Sequence, residues 1–371
     1  MLFVQLRYAY RLTATPAQRR ALARAFGCAR VVFNDAVAAR RAAREAEQPY
    51  PTDAQLSKAL TAAKRTPERA WLAEVSAVVL QQALADANTA YRNFFASLSR
   101  KRKGRRLGAP RFRSKRDRAQ SIRFTKAARF RVLPNGRLRL PGIGDVPVRW
   151  SRELPGEPSS VTITVDAAGR YHASFVVEAP DAPLPPTSQE VGIDLGLTHF
   201  AVLLDGTKVD APRIARKAAA KLRTAQKELA RRQKGSANRE KSRRKVASAH
   251  ARVADTRRDW LHKLSTTVVR ENQLIAVEDL AVSGLARTRL ARSVHGARWS
   301  TFVGMLAYKA HRAGRTFMKV DRWFPSARAC SVCGAIGEAK PCTCASGPAG
   351  AAPRTTGTST RPGTSSRRDA P

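Results

Sequence analysis

Two carboxylates in this sequence stand where a carboxylate is hard to keep. Val191-Gly192-Ile193-Asp194 reads as a short apolar strand ending in an acid, and Leu274-Ile275-Ala276-Val277-Glu278 repeats the design. Burying an unpaired carboxylate costs on the order of several kcal/mol, so an acid in such a place is paired or used. Leu195-Gly196 follows Asp194, and the glycine lets the chain turn sharply and leave the carboxylate at an edge. Strand alternation puts Asp279 on the face opposite Glu278, which marks Asp279 as a structural or capping acid. Carboxylates brought together from separate strands can hold a pair of Mg²⁺ (or Mn²⁺) ions about 4 Å apart, aligning water and leaving group in phosphodiester hydrolysis. Asp194 and Glu278 are therefore the candidate catalytic and metal-ligating residues. A second cluster is made of sulfur: Cys330, Cys333, Cys342 and Cys344 lie close together, while Cys28 stands alone. That spacing predicts a reduced compartment and a metal knuckle, not a disulfide framework.

The charge names the class of partner. Over 371 residues, 69 Lys+Arg against 28 Asp+Glu leave a formal charge of +41. Such a chain repels itself and is expected to work against a polyanion, which disfavours most single-domain enzymes of small metabolites and favours nucleic acid. With 43% hydrophobic residues there is still enough apolar material for packed cores. Residues 100–131 hold fifteen Lys/Arg and one acid, Asp117, with Phe112, Phe124 and Phe130 interleaved. Phosphates take the charge and bases can stack on the rings; a solvated linker carrying a few core phenylalanines is the competing reading. Arg102, Lys103, Arg105, Arg106, Arg111, Phe112, Arg113 and Lys115 are the candidate nucleic-acid contacts. No apolar run reaches the roughly 18 residues needed to span a bilayer, and the first residues alternate instead of forming a signal-peptide core. A cytoplasmic protein without a membrane partner is expected.

The elements that must position these residues follow from periodicity. Residues 2–12 alternate as a strand, and Thr15-Pro16-Ala17-Gln18 supplies an N-cap, a first-turn proline and the second half of a capping box. The helix that starts there carries Leu22, Phe26, Ala29 and Phe33. A second is expected to open at Thr66-Pro67-Glu68 and to carry Leu72, Val75, Val79, Leu84, Tyr91 and Phe95. Residues 161–165 and 171–177 read as a β-hairpin, and the proline-rich stretch 180–186 closes this half. Beyond it, strands at 191–194, 198–204, 274–278 and 316–320 alternate with helices, an α/β pattern. Residues 213–258, with seventeen Lys/Arg and three acids, read as a basic helical hairpin broken near Gly235-Ser236.

Three segments carry a resemblance. Val191-Gly192-Ile193-Asp194-Leu195-Gly196-Leu197, Ile275-Ala276-Val277-Glu278-Asp279-Leu280, and the stretch from Trp323-Phe324-Pro325 to Cys330-Ser331-Val332-Cys333-Gly334 resemble the first two RuvC motifs and the start of the zinc knuckle of the TnpB/OrfB proteins. These are encoded by insertion sequences and regarded as ancestors of the compact type V CRISPR effectors. Ala29-Arg30 with Asn34, Leu80-Gln81-Gln82-Ala83-Leu84 and Gly108-Ala109-Pro110-Arg111-Phe112-Arg113 match in kind, so that the resemblance runs from Tyr8 to about Lys340. It implies an α+β multidomain fold: a split β-barrel (1–14 and 101–185) with a helical recognition insertion (15–100). An RNase H-like (RuvC) α/β domain follows (188–329, basic helical insertion 213–271), with an incomplete zinc knuckle (330–340). It also implies a transposon-encoded RNA-guided DNA endonuclease, an accessory to the transposase. Its partners are then a guide RNA from the transposon end and double-stranded target DNA, base pairing supplying the specificity. The family assigns metal ligation to Asp194 and Glu278 and Zn²⁺ ligation to Cys330 and Cys333.

The tail departs from that pattern. A second C-x-x-C and a D-R-D-x-N-A-A segment bearing the third metal-ligating Asp are expected, and neither occurs; residues 341–371 contain no Val, Ile, Leu, Met, Phe, Trp or Tyr. If each residue fixes the first two bases of its codon, and these are read with the preceding third base, Thr356 to Ser366 become compatible with D-R-D-V-N-A-A-R-N-I-L. By the same shift Cys342 to Ala349 permit L-H-V-R-V-W-T-C. A frameshift near Lys340-Pro341, of the sense of one lost nucleotide, follows, with a disordered tail expected. Cys342 and Cys344 are then accidental, and C-x-C is a poor replacement for half a zinc knuckle. Asp321 and Asp369 are weak substitutes for the missing acid. Cleavage is therefore expected to be impaired. The competing readings are a cleavage-silent RNA-guided DNA-binding protein, a DNA-strand-transferring transposase, and a basic structural protein of a ribonucleoprotein. The transposase lacks a tyrosine or serine nucleophile in a recognisable setting; the structural protein leaves Asp194 and Glu278 unexplained.

Overall fold

The computed structural model describes residues 3–117 and 119–321. Its first strand, β1 (Phe3–Leu12), turns Tyr10 and Leu12 inward and Arg7 and Arg11 outward, as the alternation predicts. Helix α1 (Pro16–Glu45) opens on the expected capping box: Thr15 Oγ1 accepts from the Gln18 N–H at 3.3 Å, and Gln18 Oε1 accepts from the Thr15 N–H at 3.0 Å. A second capping box, Thr52 with Gln55, starts α2 (Asp53–Ala63), a helix the periodicity did not predict. The helix expected at Thr66 is a correction. Pro67–Glu74 is 3₁₀, Thr66 makes no side-chain cap bond, Val75 is extended (φ −115°, ψ 160°), and α3 begins only at Ala77 (Ala77–Leu98). Leu72 is nevertheless fully buried, so its apolar signal reported packing and not helix continuity.

Six further strands, β2 (Gln120–Thr125), β3 (Arg131–Val132), β4 (Arg137–Leu140), β5 (Gly144–Arg149), β6 (Pro158–Val165) and β7 (Tyr171–Pro180), join β1 in an antiparallel sheet of order β2-β6-β7-β1-β5-β4-β3. Strand β1 pairs with β7 from Phe3↔Pro180 to Leu12↔Tyr171, but with β5 only at Arg11 and Leu12. The β3–β5 meander therefore hangs from the end of β1, and the sheet curls as a half-barrel. Its core is continuous with that of α1–α3: Tyr10, Phe124, Phe175 and Leu138 belong to one buried cluster with Leu22, Phe33, Leu80 and Ala87.

The second half is a mixed sheet with helices packed against it. Strands β8 (Glu190–Asp194), β9 (Ala201–Leu203) and β10 (Lys208–Val209) form an antiparallel meander, β9 being shorter than the 198–204 expected. Helices α4 (Ile214–Lys217), α5 (Ala219–Ala230) and α6 (Ala237–Glu271) follow, α5 and α6 lying against each other as the basic hairpin. The chain then returns as β11 (Leu274–Glu278), passes through α7 (Val282–Leu285), α8 (Ala291–Ala297) and α9 (Trp299–Arg312), and ends in β12 (Thr316–Val320). The order is β10-β9-β8-β11-β12, with β11 parallel to both β8 and β12. Two backbone bonds, Ala182 N–H to Arg312 O (3.1 Å) and Leu184 N–H to Ala313 O (3.0 Å), pin the proline-rich connection to the end of α9. Among the described residues no helix is long and apolar enough to cross a membrane.

Candidate metal centre and nucleic-acid interface

Asp194 closes β8 and Glu278 closes β11, and the parallel register Leu274↔Glu190 to Val277↔Ile193 brings the two strand ends level. Gln273 sets that register. Its backbone N–H donates to Gln189 O at 2.7 Å and its carbonyl accepts from Thr316 N–H at 2.9 Å, which aligns β8, β11 and β12 one residue before they pair. Arg315, buried, donates to Val269 O and to the Gln273 side chain, tying the C-terminal end of α6 to the start of β11. On the other side of Asp194 the chain folds back at once: Gly196 N–H reaches Phe200 O at 3.3 Å, and a Cβ on Gly196 would lie 3.0 Å from His199 O. Phe200, 1% exposed, anchors the return by packing edge-on against Trp260 of α6 and Phe302 of α9.

The two acids meet. Glu278 is half-buried and Asp194 exposed; burial pushes the Glu278 carboxyl above the ordinary glutamate range, and a hydrogen bond from it to Asp194 and the Asp194 charge push it the same way. Two hard oxygen donors crowded at the C-terminal ends of neighbouring parallel strands suit a divalent cation, which would relieve their repulsion. The place is also a topological switch point, since the chain leaves β8 toward β9 on one side and leaves β11 toward β12 on the other. Asp279 is directed elsewhere: its backbone N–H bonds Val320 O and its carboxylate lies 3.6 Å from Lys319 Nζ. Among the described residues no group of three or more His, Cys, Asp or Glu comes together as a metal site, so Asp321 does not complete a triad there. Cys330, Cys333, Cys342, Cys344, Asp369 and the tail expected to be disordered lie outside the described residues.

The crowding has a measurable sign. Glu278 titrates higher in the folded than in the unfolded chain, so the stability it lends is present in acid and lost as pH rises through its folded value. In metal-free protein at about pH 7.5, Glu278→Gln should raise Tm by roughly a degree or two, small because Asp194 is exposed and Glu278 only half-buried, so solvent screens much of the repulsion. The gain should vanish in acid, and added Mg²⁺ or Mn²⁺ should stabilise the parent more than the variant. A scanning-fluorimetry series showing the variant less stable than the metal-free parent at pH 7.5 would contradict this.

The basic stretch 100–131 divides in two. Phe124 and Phe130 are buried in the core, which corrects the expectation that they alternate with the charges as stacking surfaces. Phe112 is exposed, as are Arg102, Lys103, Arg105, Arg106, Arg111 and Lys115. Arg113 is half-buried, its guanidinium 3.7 Å from the centre of the Phe33 ring and 3.6 Å from Asp86. The strap is fastened by Asn34 of α1, whose side-chain amide donates to Arg113 O (3.0 Å) and accepts from Arg113 N–H (2.8 Å). Asn34→Ala should cost about 1–3 kcal/mol by leaving both backbone groups unpaired, and should speed amide exchange at Arg113. Unchanged stability and exchange would show that the strap is held by other contacts. Between α5 and α6 lies a groove of about 1280 Å³ whose rim includes Lys217, Lys221, Lys241, Arg244 and Lys245 and whose floor includes Ala225, Val253 and Trp260.

The family model OrfB_IS605, described as "Probable transposase", matches residues 174–289, which contain both Asp194 and Glu278. A protein of Streptomyces pristinaespiralis named "Putative RNA-guided DNA endonuclease" is 42% identical over 337 residues, covering 90% of this chain and 81% of that protein. The chain belongs to the OrfB/TnpB family. Another member, InsQ of Escherichia coli K12, bears the same description at 31% identity, covering 83% of this chain and 78% of its own length. The OrfB/TnpB match continues at both ends: a "Helix-turn-helix domain" model covers residues 1–49, here one strand and one long helix, and a "Cas12f1-like, TNB domain" model covers 299–350, including all four clustered cysteines. A solved structure titled "Cryo-EM structure of the Cas12f1-sgRNA-target DNA complex" aligns at TM-score 0.49 and 12% identity, covering 86% of this chain and 76% of that one. The two acids singled out in the sequence of this OrfB/TnpB member lie together in the structure, whereas Gln273 and Phe200, which position their strands, were not singled out. An exposed-type amide and a lone aromatic carry no local signal for such roles.

Proposed function

We propose that this chain is an RNA-guided DNA-binding protein built around an endonuclease centre, with guide RNA from its transposon end and double-stranded DNA as partners, and that its cutting step is impaired. The observation that carries the reading is the meeting of Asp194 and Glu278 at adjacent strand ends in a +41 chain. The strand order β10-β9-β8-β11-β12 supports an RNase H-like reading of 188–329, and the curled antiparallel sheet a split-barrel reading of 1–14 and 101–185 around the helical insertion. Asp194 and Glu278 would hold Mg²⁺ or Mn²⁺, which when bound supplies an acidified water and stabilises the leaving oxygen. The residues' own part is to fix those donors: β-register sets their separation, the Gly196 turn keeps Asp194 in solvent, and the nearby sheet keeps Glu278 half-desolvated. Two carboxylates hold such an ion loosely, because Mg²⁺ gives up water reluctantly and relies on charged ligands. The out-of-frame D-R-D-V-N-A-A reading accounts for the third. The TNB match over 299–350 supports Zn²⁺ ligation by Cys330 and Cys333, with Cys342 and Cys344 a weaker second pair.

The test is guide-directed cleavage of duplex DNA by this chain and by one with the frame restored at Lys340-Pro341. Cutting by the restored chain alone supports the reading. Equal cutting by both overturns the impairment, and failure of both to retain nucleic acid overturns the whole.

A further inference from the structure

Rings that a core would normally cover are left open beside the strap. Tyr50, after α1, is 37% exposed; Phe95, on α3, is 41%; Phe112, on the strap, is 50%. Tyr50 and Phe95 meet edge to face at 5.5 Å, and both lie against the buried Tyr91, at 6.1 and 6.2 Å. Two neighbouring arginines of α1 link this trio to Phe112: the Arg40 guanidinium sits 4.9 Å from the Tyr91 ring centre, and that of Arg41 sits 4.3 Å from the Phe112 ring centre. Arg41 also donates to Pro110 O at 3.3 Å, and Arg40, 5% exposed, is held by Asn88 at 2.8 Å. Tyr50 and Phe95 are thus held through the Tyr91 ring, on which Arg40 sits, and Phe112 through Arg41, while much of the surface of all three rings faces solvent. Ten Lys/Arg and no acid in residues 100–116 run beside them. The strap is tied here at both ends, Leu107 N–H to Ser97 Oγ at 2.8 Å and Arg113 to Asn34.

A cluster of exposed rings marks an interaction surface, and the surrounding charge favours an anionic ligand. A protein segment with acidic residues could meet the charge, but flat faces alternating with phosphates meet both demands at once. We propose that Tyr50 and Phe95, seated on Tyr91, and Phe112, held by Arg41, form a stacking platform for unpaired nucleotides of a single-stranded nucleic acid. The bases lie on the rings and the phosphates on the strap cations. The proposal rests on the nucleic-acid-binding reading above and adds to it a site selective for unpaired over paired bases, since a duplex keeps its base faces covered.

The test uses the full chain and fluorescence anisotropy with labelled 12-nucleotide single-stranded RNA, single-stranded DNA, and a blunt duplex of the same sequence. Phe112→Ala and Phe95→Ala should each weaken single-strand binding about tenfold, with duplex affinity and the salt slope unchanged because no charge is removed. Phe112→Trp should restore binding, and its fluorescence should be quenched by single strands and not by duplex; the exposed position makes this variant safe for folding. Whether RNA or DNA is the stronger ligand tells which strand uses the platform. Loss on duplex equal to that on single strands, or no loss in either alanine variant, overturns the platform while leaving the wider reading standing. A chain that binds none of the three ligands overturns both.

Discussion

Restoring the reading frame at Lys340-Pro341 is expected to raise guide-directed cleavage of duplex DNA by about three orders of magnitude. The restored segment brings a third carboxylate to a site where the described residues supply two, Asp194 and Glu278. Metal-borne charge stabilisation in such a transition state is worth on the order of several kcal/mol, and each 1.36 kcal/mol or so is a factor of ten in rate. A second C-x-x-C would at the same time close a four-cysteine Zn²⁺ knuckle and fix the segment that carries the acid. In the restored chain, Asp194→Ala or Glu278→Ala should abolish cutting and leave RNA binding nearly intact, since each removes a ligand and adds no repulsion toward phosphate. In the chain as it stands the same substitutions should change little. A gel-based cleavage series with Mg²⁺ and Mn²⁺ decides it: robust metal-dependent cutting by the unrestored chain would mean that the third carboxylate is dispensable or comes from elsewhere.

The second large effect is electrostatic. Produced with its element's flank and without nuclease treatment, the protein should carry RNA, and its affinity should fall about a thousandfold or more between about 50 and about 200 mM salt. The strap alone exposes six cations, Arg102, Lys103, Arg105, Arg106, Arg111 and Lys115, and neutralising six or more phosphates releases enough counterions for that dependence. The groove between α5 and α6 adds Lys217, Lys221, Lys241, Arg244 and Lys245. Alanine at any one strap cation should lower the salt slope by about one contact and weaken binding evenly across sequences. Protein free of nucleic acid after that co-expression, or a flat salt response, would remove the guide-RNA reading.

Local signals were readable wherever their physics is local. The Thr15–Gln18 capping box forms as read, because its donors and acceptors lie within one turn. The acid-terminated strands at Asp194 and Glu278 stand where period and apolarity put them, because side-chain alternation and the penalty on buried charge act residue by residue. The +41 charge and the two basic runs need no fold to be seen. Thr66-Pro67-Glu68 shows the limit: it carries a helix-start signal like that at Thr15, yet Thr66 makes no side-chain cap bond, and Leu72 found its burial from a 3₁₀ turn. Phe112, Phe124 and Phe130 share one stretch and one composition, but two went into the core and one into solvent, according to which neighbours the sheet and α1 offered. Above all, the contact between Asp194 and Glu278 was settled by tertiary structure. It depends on a parallel register set by Gln273 and Arg315 and on an anchor at Phe200, bonds between residues far apart in the chain, whose partners exist only once β8, β11, β12, α6 and α9 have packed together.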